Sequence, residues 1–501
     1  MKILLTLLVF SFTQLSFAQS EQIEKADDLF NRFNYEKAIS CYQKLINDGE
    51  HIYYCSKMIA KAYSKLKISS EAIHWYKKCV EYPEIEHKIY LLLAHELLRV
   101  GEQNEASVNF HKYYTSSNTP HQLTASSFID YYNSLFTDSM RYNVITLTIN
   151  SKYDEFGPAL YGDNMVFTSN RPLKSISKRH DVQTGKSFFN LFKVDKTSSN
   201  PSLFSKELQT KFNDGPVCFS KDNKTIYITR NTSFETKHIN TLDIFVSQLK
   251  DDKWTKEVKR LPIRKGNYTI AHANLSADNK QLFFSSNMPG GFGGMDLYVC
   301  EIKNGFISQP INLGSSVNTT GNEVFPFLAT NGTLYFSSDM HPGLGGYDLF
   351  FSKKINDKYS IPFNLGYPAN TSGDDFSLIL DKSNQFGFFA SNRTGGGGGD
   401  DIYAIKINHP LDYCIIEAQV FDDADSTMLN QAFISITDAE TQQKVYIKTD
   451  KNGKFHYYLK KDKKYLFEVK RKLYTDFKGV LTPEDLKTYD VLKLNIGMKE
   501  K

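Results

Sequence analysis

The sequence predicts a multidomain protein with three folding units in tandem: an all-α repeat array, a five-bladed β-propeller and a small β-sandwich. Three changes of pattern along the chain predict this order. A 34-residue period runs through residues 21–117, a period of about 53 residues runs through 142–407, and strand-like alternation runs through 413–496. The length of 501 residues agrees with roughly three domains of about 150 residues each.

The N-terminus has the pattern of a secretory signal. Lys2 precedes an apolar run over Ile3–Phe12, and the small residues Ser16 and Ala18 follow at the spacing of a cleavage site. The apolar run is too short to cross about 30 Å of hydrocarbon. We therefore expect a signal peptide over residues 1–18, no transmembrane span, and export to the periplasm or the outer-membrane surface.

Small and aromatic residues recur every 34 positions in the helical segment. The recurring sets are Ala26, Ala60 and Ala94; Ala38, Ala72 and Ala106; Tyr42, Tyr76 and Phe110; and Leu29, Tyr63 and Leu97. A small residue on each of two helices lets them cross closely. The pattern resembles the tetratricopeptide repeat, which implies an all-α array over residues 19–138 that ends in a capping helix near 121–136.

Glycine-rich hairpins dominate the middle of the chain. Each follows a strand that ends in Ser-Asn or Ser-Asp and precedes an Asp, an apolar residue and an aromatic residue. The marker positions are Asn190, Asp243, Asp296, Asp348 and Asp401, with steps of 53, 53, 52 and 53. Repeats of this length with about four short strands are typical of propeller blades. The sequence therefore predicts a five-bladed propeller over residues 139–409, closed by the segment 143–149 as the outer strand of the last blade.

The marker aspartates have two interpretations. They can accept backbone N–H bonds at the hairpin base while the glycines adopt positive φ at the tip. They can instead bind calcium, but one or two carboxylates per hairpin fall short of the roughly six to eight oxygens that calcium takes. We expect the structural role. These repeats resemble those of the TolB-type and prolyl-peptidase propellers.

The last segment, residues 410–501, alternates at strand period. The predicted strands are Ile415–Phe421, Phe433–Ile436, Lys444–Thr449, Phe455–Leu459 and Tyr465–Val469. The segment resembles the carboxypeptidase regulatory-like domain, which implies a small β-sandwich of transthyretin type that acts as a spacer or docking module.

Catalytic signatures are missing from the sequence. There is no G-x-S-x-G, P-loop, H-E-x-x-H or dinucleotide fingerprint. Three carboxylate pairs, Asp154–Glu155, Asp374–Asp375 and Asp400–Asp401, repeat with the blades, and we expect them to be structural. The sequence thus predicts no enzyme, no cofactor and no metal, and the 60 basic residues interspersed with 56 acidic ones do not favour nucleic acid as a partner.

The whole architecture resembles Bacteroidota cell-envelope proteins of the PorE type. The resemblance implies a noncatalytic scaffold in a type IX secretion, gliding or outer-membrane complex, with a PorP/SprF-type outer-membrane protein as a candidate partner. Those proteins continue into an OmpA-type domain, for which this sequence has no counterpart after Ile496, so peptidoglycan binding is not expected. The alternative is an exported carbohydrate-binding or carbohydrate-active propeller, which requires an aromatic-lined pocket or converging carboxylates.

A basic stripe is the candidate partner-binding site. Lys57, Lys61 and Lys65 recur every four residues on one helix face, and His95 and Arg99 follow 34 positions after Lys61 and Lys65. The array groove would then be positively charged and suited to an acidic peptide or loop. The alternative is a solvated helix face without a partner.

Overall fold

A computed structural model shows two compact units. One contains residues 1–117 and 179–186, and the other contains the remainder of the chain. The residues that the structure describes are 21–30, 34–116, 131–173, 187–195, 200–210, 212–231, 241–256, 258–263, 266–355, 357–409, 412–442 and 444–501. The predicted signal peptide and most of the predicted capping helix lie outside them. No helix within these ranges is long and apolar enough to cross a membrane.

The first unit is helical. Its helices are α1 (21–30), α2 (Tyr35–Asn47), α3 (Ile52–Lys65), α4 (Ser69–Cys79), α5 (Lys88–Arg99) and α6 (Gln103–Ser116). From α2 onward each helix packs mainly on the next one along the chain. The periodic aromatic residues Tyr42, Tyr76 and Phe110 are fully buried, so the recurring positions form the core of this unit.

The predicted fold class is wrong in its all-α tetratricopeptide array. The described chain is mostly β, and its helices do not form a clear array of equivalent two-helix units. The connections between successive predicted repeats differ in length, with four residues, 48–51, between α2 and α3 and eight, 80–87, between α4 and α5. A periodic small residue permits close helix contact, but it does not determine how successive helix pairs stack.

The second unit begins with strand β1 (Tyr142–Thr146) and continues into five sheets. Blade 1 contains β2 (Glu155–Tyr161), β3 (Asn164–Ser169), β4 (Asn190–Val194) and β5 (Ser202–Leu203). Blade 2 contains β6 (Asp214–Phe219), β7 (Thr225–Asn231), β8 (Leu242–Lys250), β9 (Lys253–Trp254) and β10 (Lys259–Arg260). Blade 3 contains β11 (Ile270–Leu275), β12 (Gln281–Ser286), β13 (Asp296–Lys303), β14 (Phe306–Ile307) and β15 (Ile311–Asn312).

The last two blades follow the same order. Blade 4 contains β16 (Glu323–Leu328), β17 (Leu334–Ser338), β18 (Asp348–Ser352) and β21 (Phe363–Asn364), with a small hairpin of β19 (Lys354–Ile355) and β20 (Lys358–Tyr359). Blade 5 contains β22 (Asp375–Leu380), β23 (Phe386–Ser391) and β24 (Asp401–Ile407). Its fourth strand is β1, which pairs antiparallel with β24 so that Val144 lies opposite Ile405. The predicted closure by the segment that begins at residue 143 is confirmed.

The five sheets are arranged as a ring. The first strands of successive blades, β2, β6, β11, β16 and β22, contact one another in that order, and β22 contacts β2. These strands therefore surround a central channel, as in a β-propeller. Apolar residues on facing sheets fill the space between blades, for example Phe283 of blade 3 with Phe336 and Phe350 of blade 4.

Two further sheets follow the propeller in the same unit. Their strands are β25 (Tyr413–Asp422), β26 (Phe433–Asp438), β27 (Lys444–Lys448), β28 (Lys454–Lys460), β29 (Tyr465–Lys470), β30 (Phe477–Leu481) and β31 (Val491–Met498), with a short helix at Pro483–Lys487. The sheet orders are β28-β25-β31 and β27-β26-β29-β30. All five strands predicted for this segment are present within β25 to β29, because alternation of buried and exposed residues identifies a half-buried strand.

Candidate ligand-binding site in the propeller channel

Each inner strand is interrupted by a β-bulge at the same depth in the channel. The pairing register shifts at Gly157–Pro158, Gly215–Pro216, His272–Ala273, Phe325–Pro326 and Ser377–Leu378. Proline suits a bulge because it has no N–H to give to the ladder. A bulge bends the strand and redirects its side chains, so the five blades converge on one site.

Three of the bulges place a residue other than glycine in the left-handed region. The φ angles are 59° at His272, 52° at Phe325 and 56° at Ser377. This conformation costs roughly 1–2 kcal/mol for an L-residue, and residues in such conformations cluster at ligand and active sites. The backbone strain at consecutive blades therefore marks the channel as the candidate site.

The bulges line a cavity of about 180 Å³. The rings of His272 and Phe325 stack in it, with centroids 3.7 Å apart and planes inclined by 16°. Phe376 lies 5.3 Å from Phe325, and Phe156 lies 6.2 Å from Phe376, as centroid distances. Aromatic rings from three blades and the imidazole of a fourth thus adjoin one another around the channel.

Two polar atoms at this cavity have no hydrogen-bond partner among the described residues. They are the buried Nδ1 of His272 and the buried Oγ of Ser377, and both residues line the cavity. The backbone N–H of His272 is satisfied, since it donates to Thr229 Oγ1 at 3.0 Å. An unsatisfied buried polar atom costs about 1–3 kcal/mol, so a molecule that hydrogen-bonds to these two atoms would stabilise the site.

The cavity is electrically neutral at pH 7. Burial lowers the pKa of His272 to about 3, so its imidazole is uncharged and offers one donor and one acceptor. Burial raises the pKa of the Cys218 thiol, which also lines the cavity, to about 12. That thiol is therefore protonated and a poor nucleophile. No Asp, Glu, Lys or Arg lines this cavity in the described part of the chain.

The carboxylates at the start of the inner strands form hydrogen bonds with nearby groups of the propeller. Glu155, Asp214, Glu323 and Asp375 are at most 1% exposed. Arg171 donates to Glu155 at 2.9 Å, and each of the four also accepts from backbone or side-chain groups of the preceding loop. None of the four lines the cavity, so the converging carboxylates that the carbohydrate-active alternative requires are not found among them.

Blade 4 differs from the other acid-bearing blades. Glu155, Asp214 and Asp375 each pair with an arginine at 2.9, 2.7 and 2.7 Å, whereas Glu323 has no basic partner among the described residues. It accepts from Thr319 N at 2.8 Å and Ser338 Oγ at 2.7 Å. Burial, reinforced by neighbouring Asp339, raises the pKa of Glu323 to about 8.

The structural role predicted for the marker aspartates is confirmed in blades 3, 4 and 5, whose hairpin tips the structure describes. Asp296 accepts from the N–H groups of Phe292 and Gly293 at 2.7 and 3.1 Å, and Asp348 accepts from Gly345 N at 3.2 Å. Positive φ explains only some tip glycines, such as Gly290. At Gly291, Gly343 and Gly396 a Cβ would overlap the carboxylate of the blade's own marker aspartate. No cluster of metal-ligating side chains occurs within the described residues.

The helical unit shows where the predicted groove residues lie. Lys57, Lys61 and Lys65 share α3, and burial together with the charge of Lys57 lowers the pKa of Lys61. Lys57 pairs with Glu86 at 2.5 Å. His95 is only 7% exposed and its ring packs on Phe110. Arg99 pairs at 2.8 Å with Glu96, which is buried. The three lysines lie on one helix, while His95 belongs to the core.

Sequence reasoning missed His272, Phe325 and Ser377. Their positions differ by 53 and 52, the same spacing as the marker aspartates. The blade period could therefore have aligned them as equivalent positions. The different residue types at these positions hid the equivalence.

The sequence matches no family model and no curated protein. Among solved structures it is similar to the gluconolactonase XC5397 from Xanthomonas campestris, at 12% identity over 58% of this chain and 95% of that one, with a TM-score of 0.33. It is also similar to an α-L-arabinofuranosidase from Lactobacillus brevis, at 10% identity over 55% and 94%, with a TM-score of 0.33. A third is the family 117 glycoside hydrolase Zg3597 of Zobellia galactanivorans, at 9% identity over 53% and 90%, with a TM-score of 0.34.

These comparisons correct one prediction. The sequence predicts that the chain is not an enzyme, and that exclusion is wrong because the similar structures are enzymes. Likeness at this level does not transfer an activity. The coordinates themselves define the class, a β-propeller protein with a neutral, aromatic-lined cavity in its channel.

Proposed function

We propose that the propeller channel binds a neutral sugar ring, and that the chain is a carbohydrate-recognising propeller protein. One observation carries the proposal: His272 Nδ1 and Ser377 Oγ, buried and without partners among the described residues, lie at the same cavity as the ring of Phe325. A sugar has an apolar C–H face that packs on an aromatic ring and hydroxyls at its edge that both donate and accept. The site offers an aromatic ring for the C–H face and two unsatisfied polar atoms for the hydroxyls.

Size and charge support the same ligand class. The cavity of about 180 Å³ is smaller than the roughly 300–1,000 Å³ of drug-sized sites, which suits a single ring. Without an ionised group in its lining, the cavity would leave a charged ligand unpaired, and such burial is costly. A neutral hexose fits this environment better than the matching uronic acid.

We infer that the protein acts outside the cytoplasm. The N-terminal pattern of Lys2, Ile3–Phe12 and Ala18 supports export, and the resemblance to PorE-type envelope proteins agrees with a periplasmic or cell-surface location. A sugar-binding channel would give an envelope protein a means to engage a glycan.

Calorimetric titration of the full chain with neutral mono- and oligosaccharides tests the proposal. We expect saturable binding by the wild type and weaker binding by His272→Asn, which keeps a residue tolerant of left-handed φ but shortens the side chain. Ser285→Ala is the matched control, because Ser285 is buried in blade 3 but does not line the cavity. Tighter binding of uronic acids than of neutral sugars, or full binding by His272→Asn, would contradict the proposal. Chromatography of the same oligosaccharides then shows whether binding leads to cleavage.

A further inference from the structure

A second and larger cavity lies between blade 4 and the sheets that follow the propeller. Its volume is about 430 Å³, within the roughly 300–1,000 Å³ of small-molecule sites, which favour domain interfaces. The two walls are joined directly, since Tyr458 Oη donates to the Ile361 carbonyl at 2.6 Å. The rings of Phe363 and Tyr413 also lie 4.7 Å apart. The cavity therefore has fixed walls.

The inner surface is mainly apolar and aromatic. Phe363 and Tyr359 line it from blade 4, and Ile415, Ile436 and Tyr457 line it from the following sheets. Strands β27 and β28, which carry part of the lining, are at the edges of their two sheets. An apolar ring system would bury its surface here.

The charged groups of the lining are unequally paired. Lys460 pairs with Asp138 at 3.1 Å and Lys463 pairs with Asp438 at 2.8 Å. Lys358 and Lys444 also line the cavity and have no ion-pair partner among the described residues. Glu417 also lines it, 3.9 Å from His456, so two cations and one carboxylate of the lining lack a close ion pair.

Two hydroxyl groups add hydrogen-bond donors. Tyr359 and Tyr457 line the cavity, and their hydroxyls make no hydrogen bond within the described part of the chain. Burial raises the pKa of Tyr359 to about 12 and raises that of Tyr457 further. Both phenols are therefore neutral donors at pH 7. Together with the two lysines they can bind oxygens of an anion.

We propose that this cavity binds a small organic carboxylate with an apolar ring body. The ring would pack against Phe363 and Ile436, and the carboxylate would face Lys358, Lys444 and the Tyr457 hydroxyl. This site is separate from the propeller channel, and its ligand differs in charge from the neutral sugar proposed there.

Titration of the full chain with 2-naphthylacetate and with its neutral amide tests the assignment. We expect the carboxylate to bind at least about tenfold more tightly than the amide, since hydrogen bonds to a charged group are the stronger ones. Lys358→Gln with Lys444→Gln should abolish that preference while leaving amide binding unchanged. Both lysines are exposed, so the variant should fold normally, which a thermal melt verifies.

Two controls sharpen the result. Lys448→Gln changes another lysine of β27 that does not line the cavity, and it should keep the preference for the carboxylate. His272→Asn should leave naphthylacetate binding unchanged, which separates this site from the channel. Equal binding of carboxylate and amide, absence of binding, or a preference that survives the double lysine substitution would overturn the proposal.

Discussion

Asn150 and Ile402 exchange two hydrogen bonds across 252 positions of the chain. Asn150 Nδ2 donates to the Ile402 carbonyl at 2.8 Å, and the Ile402 N–H donates to Asn150 Oδ1 at 2.9 Å. Asn318 makes the same pair of bonds with Leu297, and Asn370 makes it with Leu349. Asn150 therefore repeats between the two ends of the propeller a bridge found elsewhere between consecutive blades.

Replacing Asn150 with alanine should destabilise the propeller. The N–H and C=O groups of Ile402 would lose their partners, which costs about 1–3 kcal/mol of unfolding free energy. Urea denaturation followed by fluorescence measures the change. Asn143→Ala, at an exposed position of β1, is the control and should shift stability much less. An unchanged denaturation midpoint for Asn150→Ala would contradict the role given to this bridge.

Glu323 should make stability depend on pH. Its pKa of about 8 lies above the ordinary 4.5, so the folded protein retains a proton that the unfolded chain loses. Unfolding free energy should then fall by about 1.4 kcal/mol per pH unit between about pH 4.5 and 8, and stay level above that range. Glu323→Gln is neutral at every pH and should reduce this slope, measured by urea denaturation at several pH values.

Glu155 provides the matched comparison for Glu323. It begins the inner strand of blade 1 as Glu323 begins that of blade 4, but it pairs with Arg171. Glu155→Gln should therefore lower stability at pH 7 by on the order of 3 kcal/mol, because a largely buried arginine loses its carboxylate. If Glu323→Gln behaved like Glu155→Gln, the contrast between paired and unpaired acids would be refuted.

Ser377 should show a trade-off between stability and binding. Its φ of 56° suits glycine better than serine, so Ser377→Gly removes strain of roughly 1 kcal/mol together with the hydroxyl. We expect unfolding free energy to stay constant or rise, and sugar affinity to fall about fivefold or more. Denaturation and calorimetry on the same sample measure both. Lower stability with unchanged affinity would show that Ser377 serves the fold alone.

The lysines of α3 should differ in their effect on stability. Lys65→Glu should change the melting temperature little, because exposed charges add little to stability. Lys57→Glu should lower it, since it places a carboxylate beside Glu86 in place of a cation whose side chain is 12% exposed. Thermal melts of the two single variants test this. Equal melting temperatures would show that the Lys57–Glu86 pair contributes nothing. Binding of an acidic partner by this stripe stays a prediction.

The strands of the second unit could be predicted because their sequence signals are local or recur once in each blade. Alternation located β25 to β29, and the marker aspartates located the start of the third strand in each blade. The pairing of β1 with β24 followed from counting strands. The packing of the helical unit was harder to predict. The buried Ala60 and Ala94 allow helices to touch but do not determine how successive helix pairs stack.

The site was not predictable in the same way. His272, Phe325 and Ser377 belong to different chemical classes, and what they share is a bulge and a left-handed φ. A bulge depends on the register of two paired strands, which a single strand's pattern does not contain.

The most direct test of the central claim is a crystal structure of the full chain at saturating concentration of the tightest neutral sugar found by calorimetry. We predict a sugar ring in the propeller channel, packed on Phe325, with hydroxyls about 2.7–3.2 Å from His272 Nδ1 and Ser377 Oγ. A structure with the sugar bound elsewhere, and only water at these two atoms, would contradict the claim.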